Sequence, residues 1–448
     1  MAKQIKPIKC PQCGSTDKTE LRPDFFRCNN CNTEYFLDND DININYNHNY
    51  THSFGSATNK QARTVAIGAV IVFALAIIFG GILPAVLSSS TKSTYSTSES
   101  GKTVVKEKKY YASRYQGYPF VRSGTDQALI LFVENRNYNS NSDKSKEGVY
   151  LTYYNVQKKE IESEQKLDDE KLSGSDVKLR KFSDGSLYLI VNKTAIYKID
   201  EKDLKLKDAY KDLFSVQPEL QVGVATIDFV YDDQGDGLVI LTNDGKNYTY
   251  YPLVKKIYSK ERIYDQMTGF KTLLPGAKDA VYYTFTSSSS EYPEEKRQLL
   301  KIAYKDNLGG PKSMRTSISW GKDYGGSGIF TDRDPYKKVL VGHYAKESGR
   351  ILSWKDLTPG RLYFDPKVLY SDEHNLIIQF NNSAAPSSPK SIQKLNTDTG
   401  AVEWTVAIDQ RYISYIIPLK SGFLASFING EIMTINAAGK MTDNYKLD

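Results

Sequence analysis

Four cysteines lie within the first 31 residues of the chain, and their spacing is that of a metal site. They form two Cys-x2-Cys pairs with fourteen residues between them, Cys10 with Cys13 and Cys28 with Cys31. A structural Zn²⁺ takes four thiolates at about 2.3 Å in a tetrahedron, and each Cys-x2-Cys turn presents two of them. The pattern therefore predicts a bound zinc ion with no open coordination position for catalysis.

The residues around these pairs, from about 7 to 37, resemble the zinc-ribbon family. Gly14 follows the first pair and Asn32 the second, and both residue types tolerate the left-handed backbone that such turns need. The family usually has glycine where Asn32 stands. A small apolar patch beside the metal is expected from Phe25, Phe26, Tyr35 and Phe36. The resemblance implies a domain at residues 1–37 in which zinc replaces a core too small to fold alone.

Docking to a cytosolic partner and binding of nucleic acid are two further roles that a ribbon can have. The cations of this ribbon are offset by carboxylates: Lys18, Arg22 and Arg27 stand against Asp17, Glu20, Asp24 and Glu34. The whole chain is similarly mixed, with 59 Lys and Arg against 53 Asp and Glu and a net charge of +6. Nucleic-acid binding needs a clustered basic face and is therefore disfavoured.

Residues that could carry out catalysis are few outside the ribbon. His343 and His374 stand in no nucleophile or metal motif. The glycine-rich stretch 321–328 lacks both the Gly-Lys-Ser/Thr ending of a phosphate loop and the Gly-x-Ser-x-Gly spacing of a nucleophile elbow. Residues 232–237, DDQGDG, lack the ligand pattern of an EF-hand and predict a tight turn. The sequence favours a noncatalytic protein over an enzyme.

Residues 65–87 form a run of twenty-three residues without a charge. At about 1.5 Å per residue this run crosses a hydrocarbon core of about 30 Å, so we expect a transmembrane helix at 64–88 in contact with lipid. A signal peptide is the alternative, but its leader is much shorter. The flanking charges balance, and the cysteines decide the orientation. Free thiolates persist in a reducing cytosol, which predicts a cytosolic N-terminus and an extracytoplasmic C-terminal domain in the cell membrane.

Two polar segments flank the predicted helix. Residues 38–63 are rich in Asn, Asp and Tyr and predict a flexible linker, while residues 89–108 are rich in Ser, Thr and Lys and predict a spacer. Residues 109–448 remain as one large region. Short β-branched and aromatic runs in it alternate with Gly, Asp, Asn and Ser turns, which predicts an all-β fold.

Similar units recur along this region. Their anchor residues are Asn155, Asp200, Tyr251, Ala303, Ala345, Asn396 and Asn436. The separations of 45, 51, 52, 42, 51 and 40 residues match the size of a four-stranded propeller blade. Seven anchors predict a seven-bladed β-propeller at residues 109–448. Residues near 118–133 are expected to complete a blade begun at the other terminus and so to close the ring.

One unit, KLNTDTGAVEW ending at Trp404, resembles the repeat of the quinoprotein-like propellers, also called PQQ-like repeats. That family includes quinone-dependent dehydrogenases and noncatalytic scaffolds of membrane-protein assembly. For the enzymes, the resemblance implies a central quinone, a calcium ion and a vicinal disulfide. Residues 109–448 contain no cysteine and cannot form that disulfide.

Together these patterns predict a single-pass membrane protein that acts as a noncatalytic scaffold or sensor. Its propeller loops would bind an extracytoplasmic protein or an envelope polymer, and its zinc ribbon would face the cytosol. A quinoprotein-like oxidoreductase or another propeller enzyme is the alternative. Association into a homo-oligomer is left open, because the small residues Gly68, Gly80 and Gly81 could let a second helix approach.

Overall fold

A computed structural model of the chain describes residue 10 and residues 15–22, 25–36, 110–139, 141–167, 172–325, 335–409 and 411–447. The linker, the membrane helix and the spacer predicted at 38–63, 64–88 and 89–108 lie outside these ranges. Within them, no helix has the length and apolar character needed to span a membrane. Nearly all the regular structure of these ranges is β-strand.

The N-terminal residues form a small antiparallel sheet. Its strands are β1 (Lys18–Arg22), β2 (Phe25–Cys28) and β3 (Glu34–Phe36), with β2 in the centre. Phe26 on β2 pairs with Tyr35 on β3, and their ring centroids lie 5.9 Å apart. Together with three cysteines, these two rings form the buried core of the sheet. Of the four residues of the predicted apolar patch, this core contains Phe26 and Tyr35.

From Tyr110 onward the described residues form six antiparallel sheets of three or four strands and one separate pair of strands. Sheet 1 contains β4 (Tyr110–Val121), β5 (Ala128–Tyr138), β6 (Gly148–Asn155) and β7 (Glu160–Lys166). Sheet 2 contains β8 (Val177–Lys181), β9 (Leu187–Val191), β10 (Ala195–Asp200) and β11 (Lys205–Asp208). Sheet 3 contains β12 (Val224–Phe229), β13 (Leu238–Thr242), β14 (Asn247–Tyr251) and β15 (Lys256–Ser259).

The second half of the region is less regular at its start. Sheet 4 contains β16 (Lys278–Phe285), β17 (Leu299–Asp306) and β20 (Ile351–Asp356), and the small pair β18 (Gly321–Asp323) and β19 (Lys337–Val339) lies between the last two. Sheet 5 contains β21 (Phe364–Ser371), β22 (Leu376–Asn381), β23 (Lys390–Leu395) and β24 (Val402–Asp409). Sheet 6 contains β25 (Ile413–Leu419), β26 (Gly422–Phe427), β27 (Glu431–Asn436) and β28 (Met441–Lys446). Two short helices are α1 (Tyr210–Phe214) and α2 (His343–Ser348).

The second strand of a sheet supplies side chains to two neighbouring cores. Successive side chains of a strand point to opposite faces of the sheet. A strand with an uninterrupted apolar run therefore needs a packing partner on each face. On β5, Leu129 and Leu131 pack with sheet 2, whereas Ile130 packs with sheet 6. On β9, Leu189 packs with sheet 1 and Ile190 with sheet 3. Strand β22 divides its side chains between sheets 4 and 6 in the same way.

Sheet 6 packs on sheet 1, which closes the series into a ring, the arrangement of a β-propeller. Polar contacts accompany this packing: the Tyr445 hydroxyl donates to the Val156 carbonyl at 3.0 Å, and the Lys420 amide donates to Asp126 at 3.0 Å. In the part of the chain that the structure describes, the two sheets exchange no strand. The prediction that residues 118–133 complete a blade of the other terminus is wrong, because they form the β4–β5 hairpin of sheet 1.

The described residues form six sheets of three or four strands and the pair β18–β19, which does not confirm the predicted count of seven blades. The anchors Ala303 and Ala345 do not lie in separate sheets. Ala303 lies in β17, and Ala345 lies in α2, which precedes β20 of the same sheet. Residues 307–350 are therefore an insertion whose length imitates a repeat. The all-β fold is confirmed, and the number of blades stays a prediction.

Sheets 3 and 4 meet through segments that lie outside the strands. Tyr251, at the end of β14, packs with Ile263, Met267 and Met314 from these segments. The fully buried Arg350 joins them by donating to the carbonyl oxygens of Gly269, Gln266 and Pro311 at 3.2, 2.8 and 3.1 Å and to the Thr272 hydroxyl at 2.6 Å. Burial lowers the pKa of its guanidinium, but the four acceptors surround the charge with oxygen.

Closure of the ring can be tested at Leu424, which is fully buried between sheets 1 and 6. Leu424→Ala should lower the free energy of unfolding by about 2–5 kcal/mol, because the lost methyl groups leave a cavity. Urea unfolding followed by tyrosine fluorescence measures the change. The matched control is Ile428→Ala in the same sheet, whose side chain is 75% exposed and should change stability by less than about 0.5 kcal/mol. Equal effects of the two substitutions would contradict the packing.

Candidate metal centre

Three of the four predicted ligands come together at the end of β2. The sulfur atoms of Cys10, Cys28 and Cys31 are buried and lie within 4.8 Å of one another, and those of Cys10 and Cys31 are 3.6 Å apart. In a tetrahedral site with metal–sulfur bonds of about 2.3 Å, two sulfur atoms are about 3.8 Å apart. The observed spacing fits such a site. Cys13, the fourth predicted ligand, lies outside the described residues.

The backbone around each pair is folded by the same hydrogen bond. The Cys10 amide donates to the Ser15 carbonyl at 2.8 Å, and the Cys28 amide donates to the Thr33 carbonyl at 2.9 Å. In the second turn, Asn32 has φ of 58° and donates its amide to the Cys28 carbonyl at 2.9 Å. Asn32 therefore adopts the left-handed conformation that its residue type tolerates, as predicted. These bonds hold the sulfur atoms on one side of the turn.

The donor set limits what the site can bind. Thiolates favour borderline and soft metals such as zinc or iron over calcium and magnesium. The Thr33 hydroxyl, which is buried, lies 3.2 Å from the Cys31 sulfur and can donate to a thiolate there. Hydrogen bonds of this kind orient a ligand and stabilise its negative charge. Three close cysteines can hold a metal ion.

The polar surface of the small sheet is largely self-paired. Arg27 donates to the Glu34 carboxylate across β2 and β3. Asn29 in the turn donates to Asp17 and accepts from the Thr19 hydroxyl, both at 2.8 Å. The ion pair with Glu34 occupies the Arg27 charge, which would otherwise be free to contact a phosphate group.

The other candidate residues are spread over the propeller. His343 begins α2 and His374 lies in the turn between β21 and β22, so the two are in different sheets. Residues Asp232–Gln234 form a single helical turn that ends at Gly235 with φ of 102°, which is the tight turn predicted for this stretch. Residues 321–323 of the glycine-rich stretch form β18, and residues 326–328 lie outside the described ranges.

A cavity that sequence reasoning missed lies where the first strands of several sheets meet. It measures about 670 Å³ and is lined by residues 115–118 of β4, 178–180 of β8 and 414–415 of β25, together with Phe229 and Asp232. Tyr118 and Tyr415 meet in its wall edge to face, with ring centroids 5.7 Å apart. Burial raises the pKa of Tyr118 to about 12, so its hydroxyl stays protonated at neutral pH.

The cations of this cavity are held by oxygen atoms of the protein. The Lys178 ammonium donates to both carboxylate oxygens of Asp228 at 2.7 and 2.6 Å. Arg180 donates to the carbonyls of Val230 and Gly235 at 2.6 and 2.8 Å, and it lies 3.7 Å from the Asp232 carboxylate. Lys178, Arg180 and Asp232 line the cavity, and the Asp228 carboxylate that pairs with Lys178 stands outside its lining.

One further contact joins the small sheet to sheet 5. The Glu34 amide donates to the Asn382 carbonyl at 3.3 Å. A cavity of about 300 Å³ beside it is lined by Arg27, Asn32 and Glu34 and by residues around the connection from β22 to β23. The buried cores of the two parts share no residue, so this contact is limited to their surfaces.

No protein-family model matches the chain, and no curated protein matches it. Similar solved structures include BamB from Moraxella catarrhalis, with 11% identity over 76% of this chain and 91% of that chain and a TM-score of 0.26. BBS1N in complex with ARL6DN shows 10% identity over 74% and 91%, with a TM-score of 0.26. Dihydro-heme d1 dehydrogenase NirN in complex with DHE shows 12% identity over 74% and 73%, with a TM-score of 0.28. Function is therefore argued from the residues of this chain.

The metal site can be tested on the purified full chain by mass spectrometry of its metal content. Wild type should carry about one metal ion per chain. Cys28→Ser should retain less than a tenth of it, because a hydroxyl is a poor ligand for a thiolate-selective metal. Asn29→Ser, in the same turn but exposed, is the matched control and should keep the metal. Equal metal content in the two variants would contradict the assignment of Cys28 as a ligand.

Proposed function

We propose that the protein is a noncatalytic binding protein, anchored in the cell membrane by residues 65–87, with an extracytoplasmic propeller and a cytosolic zinc ribbon. The observation that carries the binding role is the wall of the 670 Å³ cavity. It offers tyrosine rings and ion-paired side chains, which is the chemistry of recognition. An enzyme would need a nucleophile beside a base, or a cofactor site, among these residues.

The choice of zinc rests on the thiolate set. The three buried sulfur atoms lie at the spacing of a tetrahedral site, and Cys13 completes the predicted set of four. Four thiolates and no histidine or carboxylate support a closed structural zinc site. Its role is to stabilise a sheet whose core contains only Phe26, Tyr35 and the cysteines. A core of this size cannot hold such a sheet without a metal.

The membrane anchor competes with the contact between Glu34 and Asn382. A single crossing by residues 65–87 puts these two residues on opposite sides of the bilayer, so the two features exclude one another. The backbone hydrogen bond between Glu34 and Asn382 is worth about 0.5–1.5 kcal/mol. Residues 65–87 contain fourteen Val, Ile, Leu and Phe residues, and exposing each to water costs about 1.5–3 kcal/mol. Because exposing these side chains to water costs far more than the hydrogen bond contributes, the comparison of free energies favours a membrane crossing by residues 65–87.

The topology can be tested with single cysteines and a maleimide that does not cross membranes. Lys440→Cys, in an exposed turn of sheet 6, should be labelled in intact cells. Glu20→Cys, on exposed β1, should be labelled only after the membrane is permeabilised. The native cysteines are protected by metal and provide the background. Labelling of both positions in intact cells, or of neither, would contradict the proposed topology and agree with the Glu34–Asn382 contact.

The binding role can be tested by photo-crosslinking in living cells. A photoreactive benzoylphenylalanine at position 415, in the cavity wall, should form a specific product with an extracytoplasmic molecule. The same group at position 344 is the matched control, because Tyr344 is 63% exposed on α2 but away from the cavity. A quinone bound to the purified chain would favour the oxidoreductase alternative. Identical products at both positions, or none at position 415, would contradict a binding role for the cavity.

A further inference from the structure

The size and outline of the central cavity suit a compact ligand. Its volume of about 670 Å³ lies within the range of about 300–1,000 Å³ found for small-molecule sites. The first strands of three sheets contribute short stretches to the wall: residues 115–118, 178–180 and 414–415. A peptide that binds by strand addition needs a longer exposed run of one edge strand, because its main-chain bonds repeat along that strand. The wall therefore favours a ligand of a few rings over an extended peptide.

Aromatic rings form the apolar part of the wall. Tyr115 and Tyr415 are 45% and 44% exposed, so large parts of both rings are open to a ligand. Tyr118 and Phe229 complete the set. A sugar ring has an apolar face of C–H bonds and a rim of hydroxyl groups. Tyrosine matches both properties, since its ring is apolar and its tip is a hydrogen-bonding group.

Each of the two cations of the wall has a carboxylate beside it. Lys178 is paired with Asp228, and Arg180 lies 3.7 Å from Asp232 while donating to two carbonyls. An anionic ligand would compete with Asp228 for the Lys178 ammonium and with the two carbonyls that accept from Arg180. An uncharged ligand meets no such competition.

The hydrogen-bonding groups that remain both donate and accept. Among the described residues, the hydroxyls of Tyr118 and Tyr415 have no hydrogen-bond partner, and burial raises the pKa of both, which keeps them protonated. Strands β4 and β25 each pair with a strand on one side only, which leaves the backbone groups of the other edge for a ligand. Sugar hydroxyls can pair with such donors and acceptors at once.

We propose that this cavity binds a neutral oligosaccharide. The inference rests on the proposed function, because it names the ligand class of the same extracytoplasmic binding site. The aromatic rings stack on the sugar faces, and the tyrosine hydroxyls and strand edges bind the sugar hydroxyls. The two ion pairs stay intact and exclude charged saccharides.

The test uses the full chain in lipid nanodiscs, because sugar-based detergents would compete for the site. Four neutral tetrasaccharides, built from glucose, N-acetylglucosamine, galactose or mannose, are compared with a carboxylated and a sulfated oligosaccharide by surface plasmon resonance. At least one neutral tetrasaccharide should bind saturably and more tightly than the charged ones. Tyr415→Ala should weaken this binding at least tenfold. The matched control is Tyr412→Ala, which removes a 59% exposed tyrosine outside the cavity wall and should change binding less than twofold.

A charge variant supplies a second readout. Asp232→Asn leaves the charge of Arg180 without its nearby carboxylate, so retention of the carboxylated oligosaccharide should rise at least threefold while neutral binding changes little. Failure of all four neutral tetrasaccharides to bind, or binding that Tyr415→Ala leaves unchanged, overturns the oligosaccharide proposal. If position 415 nevertheless crosslinks to a protein in cells, the proposed binding function stands with a different ligand. If neither experiment gives a product, both proposals fail.

Discussion

The packing of sheet 6 on sheet 1 is the constraint on which the rest of the propeller depends. Each second strand carries apolar side chains on both faces, so every sheet needs two neighbours, and a linear series of six would leave its two ends uncovered. Ile130 of sheet 1 and Leu424 of sheet 6 belong to the same buried cluster where these two sheets pack together. Each such side chain contributes about 1.5–3 kcal/mol when it leaves water. Closure also brings β4 and β25 together, and without it residues 115 and 415 would not line one cavity.

The irregular sheet 4 shows how a ring tolerates a long insertion. The entropic cost of closing a loop grows slowly with its length. Residues 307–350 therefore add little to the free-energy cost of folding when both of their ends are fixed by contacts. Arg350 holds one end by donating to the carbonyls of Gln266, Gly269 and Pro311. A buried guanidinium needs oxygen partners to offset its lost hydration, and backbone carbonyls supply them without adding a second buried charge. The side chain thus fixes three segments that share no strand pairing.

Sequence spacing predicted local features well and the long-range ones poorly. The Cys-x2-Cys pattern predicted the cysteine cluster, and the residue type of Asn32 predicted its left-handed turn. Five of the seven anchors mark the end of a third strand, among them Asn155 and Asn396, because turn residues recur there. Spacing alone could not distinguish the insertion before β20 from a blade. The cavity escaped prediction because it joins Tyr115 to Tyr415, 300 residues apart, and depends on ring closure.

The ribbon and the propeller have separate sources of stability. The ribbon core contains only its cysteines, Phe26 and Tyr35, whereas the propeller cores are shared between adjacent sheets. Coupling between two sites requires a structural element with two conformational states. Each site must then shift the balance between those two states. Among the described residues the core of the small sheet and the propeller cores share no residue, so a signal between the cysteine cluster and the cavity would need a contact outside these cores, such as the Glu34–Asn382 hydrogen bond.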